Sequence, residues 1–151
     1  MPLPAAAPVS TVPALIDAAQ AVADLALAGA AALDRDDAFP EHEVARLHDT
    51  GLLTAPLPPA YGGAGLDHGP ELALILKALG SGSLVLGRLY EGHVNAVRLV
   101  NLYGEPALRR QFARDIAAGA LSGVWNTEAG DGGVVLVSCV GRFGQSGEPA
   151  T

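Results

Sequence analysis

Between Ala14 and about Leu33, the apolar residues Leu15, Ile16, Ala19, Val22, Ala23, Ala26 and Leu33 recur with a helical period. Asp17, Gln20 and Asp24 fall on the opposite face, and Leu27 is the one apolar residue that lands among them. An acidic turn, Asp34–Asp37, separates this helix from a second one, with Pro40 at its first position and Glu41 and Glu43 in its first turn. Proline suits that position because the amide it lacks is unpaired there anyway, and acidic side chains oppose the positive end of the helix dipole. Val44 and Leu47 face inward, and Gly51 stops the helix.

The next stretch, residues 52–69, reads LLTAPLPPAYGGAGLDHG; its four glycines and three prolines predict an ordered loop. A third helix starts near Pro70, turns Leu72, Ile75, Leu76 and Leu79 to one side and ends at Gly80. Ser83 is placed to cap a fourth, longer helix that runs to Tyr103 and stops at Gly104. Arg88, Glu91, Asn95 and Arg98 make its narrow polar stripe, so the remaining faces predict the central buried helix. Glu105-Pro106 opens a fifth helix, with Leu108, Phe112 and Ile116 inward, Arg109, Arg110 and Arg114 outward, and Gly119 at its end.

After Gly119 the period changes. Leu121 to Trp125 has the character of a short strand, and Val134 to Val140 is a continuous apolar run of the same kind. The predicted architecture is mainly α: about five helices followed by a short β-rich tail. Composition agrees, because apolar residues are 50% of the chain but aromatics only 5%, which favours Ala- and Leu-built helices over strands. The 151 residues suffice for one small core. Charged residues are a low 17%, which predicts a surface that meets other protein.

Charge and cysteine content remove several classes of function. Sixteen acidic residues against nine basic ones give a net charge of −7, a poor match to a nucleic acid backbone. Cys139 is the only cysteine, which excludes internal disulfides and multi-cysteine zinc sites. Asp17 and Asp24 interrupt the best candidate for a membrane span. The N-terminus lacks a basic segment, and its prolines break any apolar one, so it does not read as a signal peptide and the expectation is a cytoplasmic chain.

Few residues offer chemistry of their own. Tyr61 to Leu66, YGGAGL, resembles a phosphate-binding loop only in glycine content: prolines precede it, and Lys77, the sole lysine, is not beside it. A tight structural loop is the better reading. His42, His48, His68 and His93 show no metal-ligand spacing. His93 sits mid-helix on the apolar side, as a satisfied core histidine or one at a pocket edge. Cys139 has no evident activating partner. Glu91 has two readings, paired with Arg88 or Asn95 on the polar stripe, or facing a cavity.

The order of short motifs is more informative than any one of them. Phe39-Pro40 at a helix start is followed by Gly51-Leu52-Leu53 and by Pro59-x-Tyr61-Gly62-Gly63-x-Gly65-Leu66. Glu91-Gly92-His93, the Tyr103-Gly104 stop, the Gln111 to Gly119 helix and Trp125-Asn126-Thr127-Glu128 complete the series. Over roughly residues 20–130 this series resembles the N-terminal helical domain of acyl-CoA dehydrogenases, with the first residues of the family's middle β domain.

That resemblance implies a fold, a cofactor and a reaction. Family members bind FAD and remove the α-proton and β-hydride of an acyl-CoA thioester, a reaction of fatty acid metabolism. The base is a Glu of a C-terminal domain, so the resemblance places no catalytic residue in this chain and implies a truncated chain, inactive alone. It assigns Thr127 to the flavin ring, flanked by Trp125 and Asn126, and makes Glu91, Val94 and Asn95 candidates for the acyl-pocket wall. It further implies an electron-transfer flavoprotein as partner and a homo-oligomer in full-length form, with no metal. After Thr127-Glu128, Ala129-Gly130-Asp131-Gly132-Gly133 stands where the family usually runs Pro-x-Ala-Gly-Ser-Asp. The expected organisation is therefore a flexible lead (1–13), the helical domain (14–120), the start of a middle β domain (121–130) and an atypical tail (131–151). A flavin-dependent monooxygenase of the same superfamily and a non-catalytic helical interaction module are the alternatives.

Overall fold

In the computed structural model, the described residues are 11–36, 38–124 and the backbone of 141–142. The first helix, α1 (Val12–Asp36), buries Leu15, Ala19, Val22, Ala23 and Ala26 of the predicted stripe and leaves Ile16 and Leu33 half-buried. It is longer at both ends than the Ala14 to Leu33 pattern indicates, and Leu27 is indeed exposed. By length and composition α1 is long and apolar enough to cross a membrane, which corrects the reading of Asp17 and Asp24 as sufficient interruptions. In the fold, its small-residue stripe packs on α3 (Pro70–Gly82). Contact is close: a Cβ added at Gly82 would lie 2.2 Å from the carbonyl oxygen of Ala23.

The second helix, α2 (Glu41–Asp49), starts one residue after Pro40, which serves as its N-cap, and buries Glu43, Val44 and Leu47. The third, α3, runs two residues past Gly80 before Ser83 breaks it. Ser83 then caps α4 (Leu84–Tyr103), its Oγ accepting from the backbone N–H of Leu86 at 3.2 Å. Helix α5 (Pro106–Ala117) has Pro106 in its first turn and buries Phe112, Ala113 and Ile116. Leu108 does not join them; it is 51% exposed, because the buried stripe begins one turn later at Phe112.

The chain leaves α5 through Gly119, whose φ of +96° is the left-handed conformation that a glycine adopts without strain. It then forms β1 (Ala120–Leu121), paired antiparallel with β2 (Gly141–Arg142) in the register Ala120↔Arg142 and Leu121↔Gly141. Of the expected strand from Leu121 to Trp125 only Leu121 falls in β1; residues 122–124 are not strand, and Trp125 and the run from Val134 to Val140 lie outside the described residues.

The predicted ordered loop is present, built of turns and one short 3-10 segment, Pro59–Tyr61. Leu52, Leu53, Ala55 and Leu57 are all buried, so its first half is core rather than surface. Its second half is a knot of backbone hydrogen bonds. The amides of Gly62, Gly63, Ala64, Gly65 and Leu66 donate to the carbonyls of Pro59, Pro58, Ala55, Leu57 and Ala55 in turn. These five amides are therefore committed inside the fold, as is that of Tyr61, which donates to the carbonyl of Pro58. They cannot cradle a phosphate, which leaves the tight structural loop.

Candidate functional site

Helix α4 carries the described part of the candidate site. On its outer stripe, Arg88 and Asn95 each hydrogen-bond to the Glu91 carboxylate, one turn to either side. Both partners follow from helical spacing alone, since residues three and four apart share a face. The structure therefore brings Glu91 and Asn95 together on the solvent side, with Asn95 exposed and Glu91 half-buried. Val94 lies on the other side, buried in the core cluster with Tyr90, Ala96 and Val97. Of the three pocket-wall candidates, two share a polar network and the third belongs to the core.

The inner face holds two polar tips among apolar neighbours. Tyr90 and His93 are fully buried, their ring centroids 6.3 Å apart. The Tyr90 hydroxyl donates to the carbonyl of Leu52 at 2.9 Å, and His93 Nε2 lies 2.8 Å from the carbonyl oxygen of Leu53. These two carbonyls belong to the buried half of the loop, and buried carbonyls need donors. Each helix residue thus completes a loop residue about forty positions earlier.

His93 makes a second contact with its other nitrogen. The backbone N–H of Ser122 donates to Nδ1 at 3.1 Å. Nδ1 must then carry a lone pair, so the ring is neutral and the proton is on Nε2, donating to Leu53. Burial favours the same state. It pushes the His93 pKa from 6.5 down to about 4, although the bond to the Leu53 carbonyl raises it somewhat. Burial likewise pushes the Tyr90 hydroxyl well above its ordinary range.

A second imidazole holds the same outgoing segment. His48, on α2, places Nε2 3.1 Å from the carbonyl oxygen of Ala117 at the end of α5. Its ring also lies against Gly119: a Cβ added there would be 3.6 Å from ring carbons. Residues 117–122 are in this way gripped at both ends, by α2 and by α4. The pattern of polar and apolar positions singled out neither Tyr90, His48 nor Ser122. A usable signal was present in Tyr90 and His93, two polar-tipped side chains three residues apart on a helix face that otherwise enters the core.

The predicted flavin contacts Trp125, Asn126 and Thr127 lie outside the described residues. Elsewhere, an open groove of about 480 Å³ lies between the end of α1 and the start of α2, lined by Leu33, Asp36, Phe39, His42 and Glu43 among others. Among the described residues, no group of three or more His, Cys, Asp and Glu is arranged to hold a metal ion.

The acyl-CoA dehydrogenase N-terminal domain matches the chain over residues 12–120. The chain is also similar to the 3-sulfinopropanoyl-CoA desulfinase of Paraburkholderia xenovorans (strain LB400), with 31% identity over 100 residues. That alignment covers 66% of this chain and 26% of the desulfinase, so the chain spans about a quarter of that relative's length. No solved structure matches it.

Proposed function

The chain belongs to the acyl-CoA dehydrogenase family, and from that premise we propose that it serves a flavin-dependent α,β-dehydrogenation of an acyl-CoA thioester. The observation that carries the reading is the family match over residues 12–120, a stretch that includes all of α4 and ends five residues before Trp125. Trp125, Asn126 and Thr127 offer an indole N–H, a carboxamide and a hydroxyl, a donor set suited to the polar edge of an isoalloxazine ring. In this reading Thr127 donates to that edge while Trp125 and Asn126 flank it. FAD, when bound, supplies a two-electron acceptor for hydride. Glu91 and Asn95 contribute to the acyl-pocket wall, with Val94 packed in the core behind them, and Arg88 and Asn95 keep the Glu91 carboxylate in one orientation.

The proton acceptor for the α-carbon comes from outside these 151 residues. The chain alone should therefore purify colourless and reduce no dye in the presence of FAD and a saturated acyl-CoA. Stoichiometric flavin absorbance from this chain would overturn that part of the reading. A cytoplasmic location, assembly of the full-length form as a homo-oligomer and an electron-transfer flavoprotein as acceptor complete the proposal.

The similarity to a 3-sulfinopropanoyl-CoA desulfinase supports a second reading, loss of a sulfinate group from an acyl-CoA. A chimera separates the two. Residues 12–124 of this chain would replace the matching part of the desulfinase, and the product would be assayed on a saturated acyl-CoA and on 3-sulfinopropanoyl-CoA. Dye reduction with the former supports dehydrogenation; activity confined to the latter supports desulfination.

A further inference from the structure

We infer that His93 is a positioning residue that fixes where the chain leaves the helical domain, and with it the start of the segment that carries Trp125 and Thr127. The flavin role of that segment rests on the function proposed above, but the positioning itself does not. Three observations converge on it.

His93 bonds on both sides of its ring, to Leu53 on one element and Ser122 on another. A residue that only fills space needs neither bond, and a leucine would occupy similar volume without leaving polar atoms to satisfy. The ring is also unable to swing. Leu53 is buried, Tyr90 holds the adjacent Leu52 carbonyl, and the helix fixes the Cα of His93. Finally, Ser122 is the second of two anchors. His48 holds the carbonyl of Ala117, and the left-handed turn at Gly119 lies between the anchors, against the His48 ring. Beyond Gly119 the strand is paired with β2 through Ala120 and Leu121, and the Ser122 N–H on His93 is the bond that ties it to the helical domain through α4. Thr127 is five residues further on, within roughly 17 Å of Ser122 even when fully extended.

The two bonds can be removed one at a time. In His93→Asn, Oδ1 occupies the place of Nδ1 and still accepts from Ser122, while the Leu53 arm is lost. In His93→Gln, the terminal amide reaches Leu53 in the place of Nε2, but nothing accepts from Ser122. His93→Leu loses both. Trp125 is the only tryptophan of the chain, so its fluorescence reports on the segment in question. In the full 151-residue chain, hydrogen exchange at the Ser122 amide should accelerate at least tenfold in the Gln and Leu variants, relative to core amides of α3. In the Asn variant it should stay within a few-fold of wild type. Trp125 emission and anisotropy should follow the same order, with Asn close to wild type and Gln close to Leu.

A merely structural role gives a different result, with exchange rising everywhere in proportion to lost stability and Asn and Gln indistinguishable. That outcome would sink the inference, as would unchanged Trp125 emission in a folded Gln variant. Should the variants fail to fold, the unaltered chain decides. Nitrogen NMR of its histidines should show His93 Nδ1 unprotonated and coupled across the hydrogen bond to the Ser122 amide; a freely exchanging Ser122 amide or a protonated Nδ1 refutes the contact. None of these readouts requires flavin, so a chain that shows the clamp but never supports flavin chemistry would contradict only the proposed function.

Discussion

The hydroxyl of Tyr90 donates to the carbonyl of Leu52 across 38 positions of sequence, and both residues are fully buried. The bond is what permits an irregular, carbonyl-rich stretch to lie inside an apolar core. Removing only the hydroxyl, in Tyr90→Phe, keeps the ring packing and leaves the Leu52 carbonyl without that donor. The expected loss is about 1–3 kcal/mol, the usual penalty for an unsatisfied buried polar group. Urea denaturation measures it, and a loss indistinguishable from zero would mean that water replaces the hydroxyl.

Acid should weaken the fold through His93. Unfolded, its imidazole titrates near its ordinary value of 6.5; folded, it does so at about 4. Between those values the unfolded chain binds the extra proton, so stability is full above about pH 6.5 and declines as the pH falls toward 4. Below that both states are protonated and this contribution stays lost. It amounts to roughly 3 kcal/mol. Measuring unfolding free energy against pH for wild type and His93→Asn isolates it, since the carboxylates are common to both. The difference between the two curves should shrink as the pH is lowered from 7 to 4; a difference independent of pH would show that the ring is not held neutral.

The phase of α4 can be tested with two adjacent positions. Val97 is fully buried, and Arg98 is exposed on the polar stripe. Val97→Asp puts an unpaired carboxyl into the core and should cost several kcal/mol, enough to unfold a small domain. Arg98→Ala should cost about 0.5 kcal/mol or less. Thermal melts would report both, and equal losses would contradict the observed orientation.

In the glycine-rich loop, Gly62 and Gly63 should respond unequally to alanine. Gly62 has a φ of +84° but open space where a Cβ would go, so Gly62→Ala costs only conformational strain, about 1–2 kcal/mol. At Gly63 a Cβ would stand 2.0 Å from the carbonyl oxygen of Leu57, which is itself buried backbone. The loop must shift and lose hydrogen bonds, so Gly63→Ala should cost about 3 kcal/mol or more. Differential scanning calorimetry would rank them, and a milder effect at Gly63 would mean that the loop gives way easily.

Local rules account for what the sequence by itself determined. The five helices, the Ser83 cap, the Pro106 start and the turn at Gly51 each depend on a few neighbouring residues, whose preferences act wherever the chain goes. The same holds for the network of Arg88, Glu91 and Asn95, whose contacts are one helical turn apart. Within α5 the local pattern went one turn too far at Leu108, since periodicity gives a face but not how far the core reaches along it.

The tertiary structure decided everything that needs a partner from far along the chain. LLTAPL reads as loop because its prolines exclude regular structure. Whether it lies inside or outside depends on Tyr90 and His93 arriving with donors for the Leu52 and Leu53 carbonyls. His93 could be any buried histidine until Ser122, 29 positions later, presents an N–H to its free nitrogen. His48 is an ordinary polar residue near the end of α2 until α5 ends beside it. Hydrogen bonds of this kind leave no periodic trace in a sequence, because their distance and angle are satisfied only after the packing of Ala- and Gly-lined helices has set where each element stands.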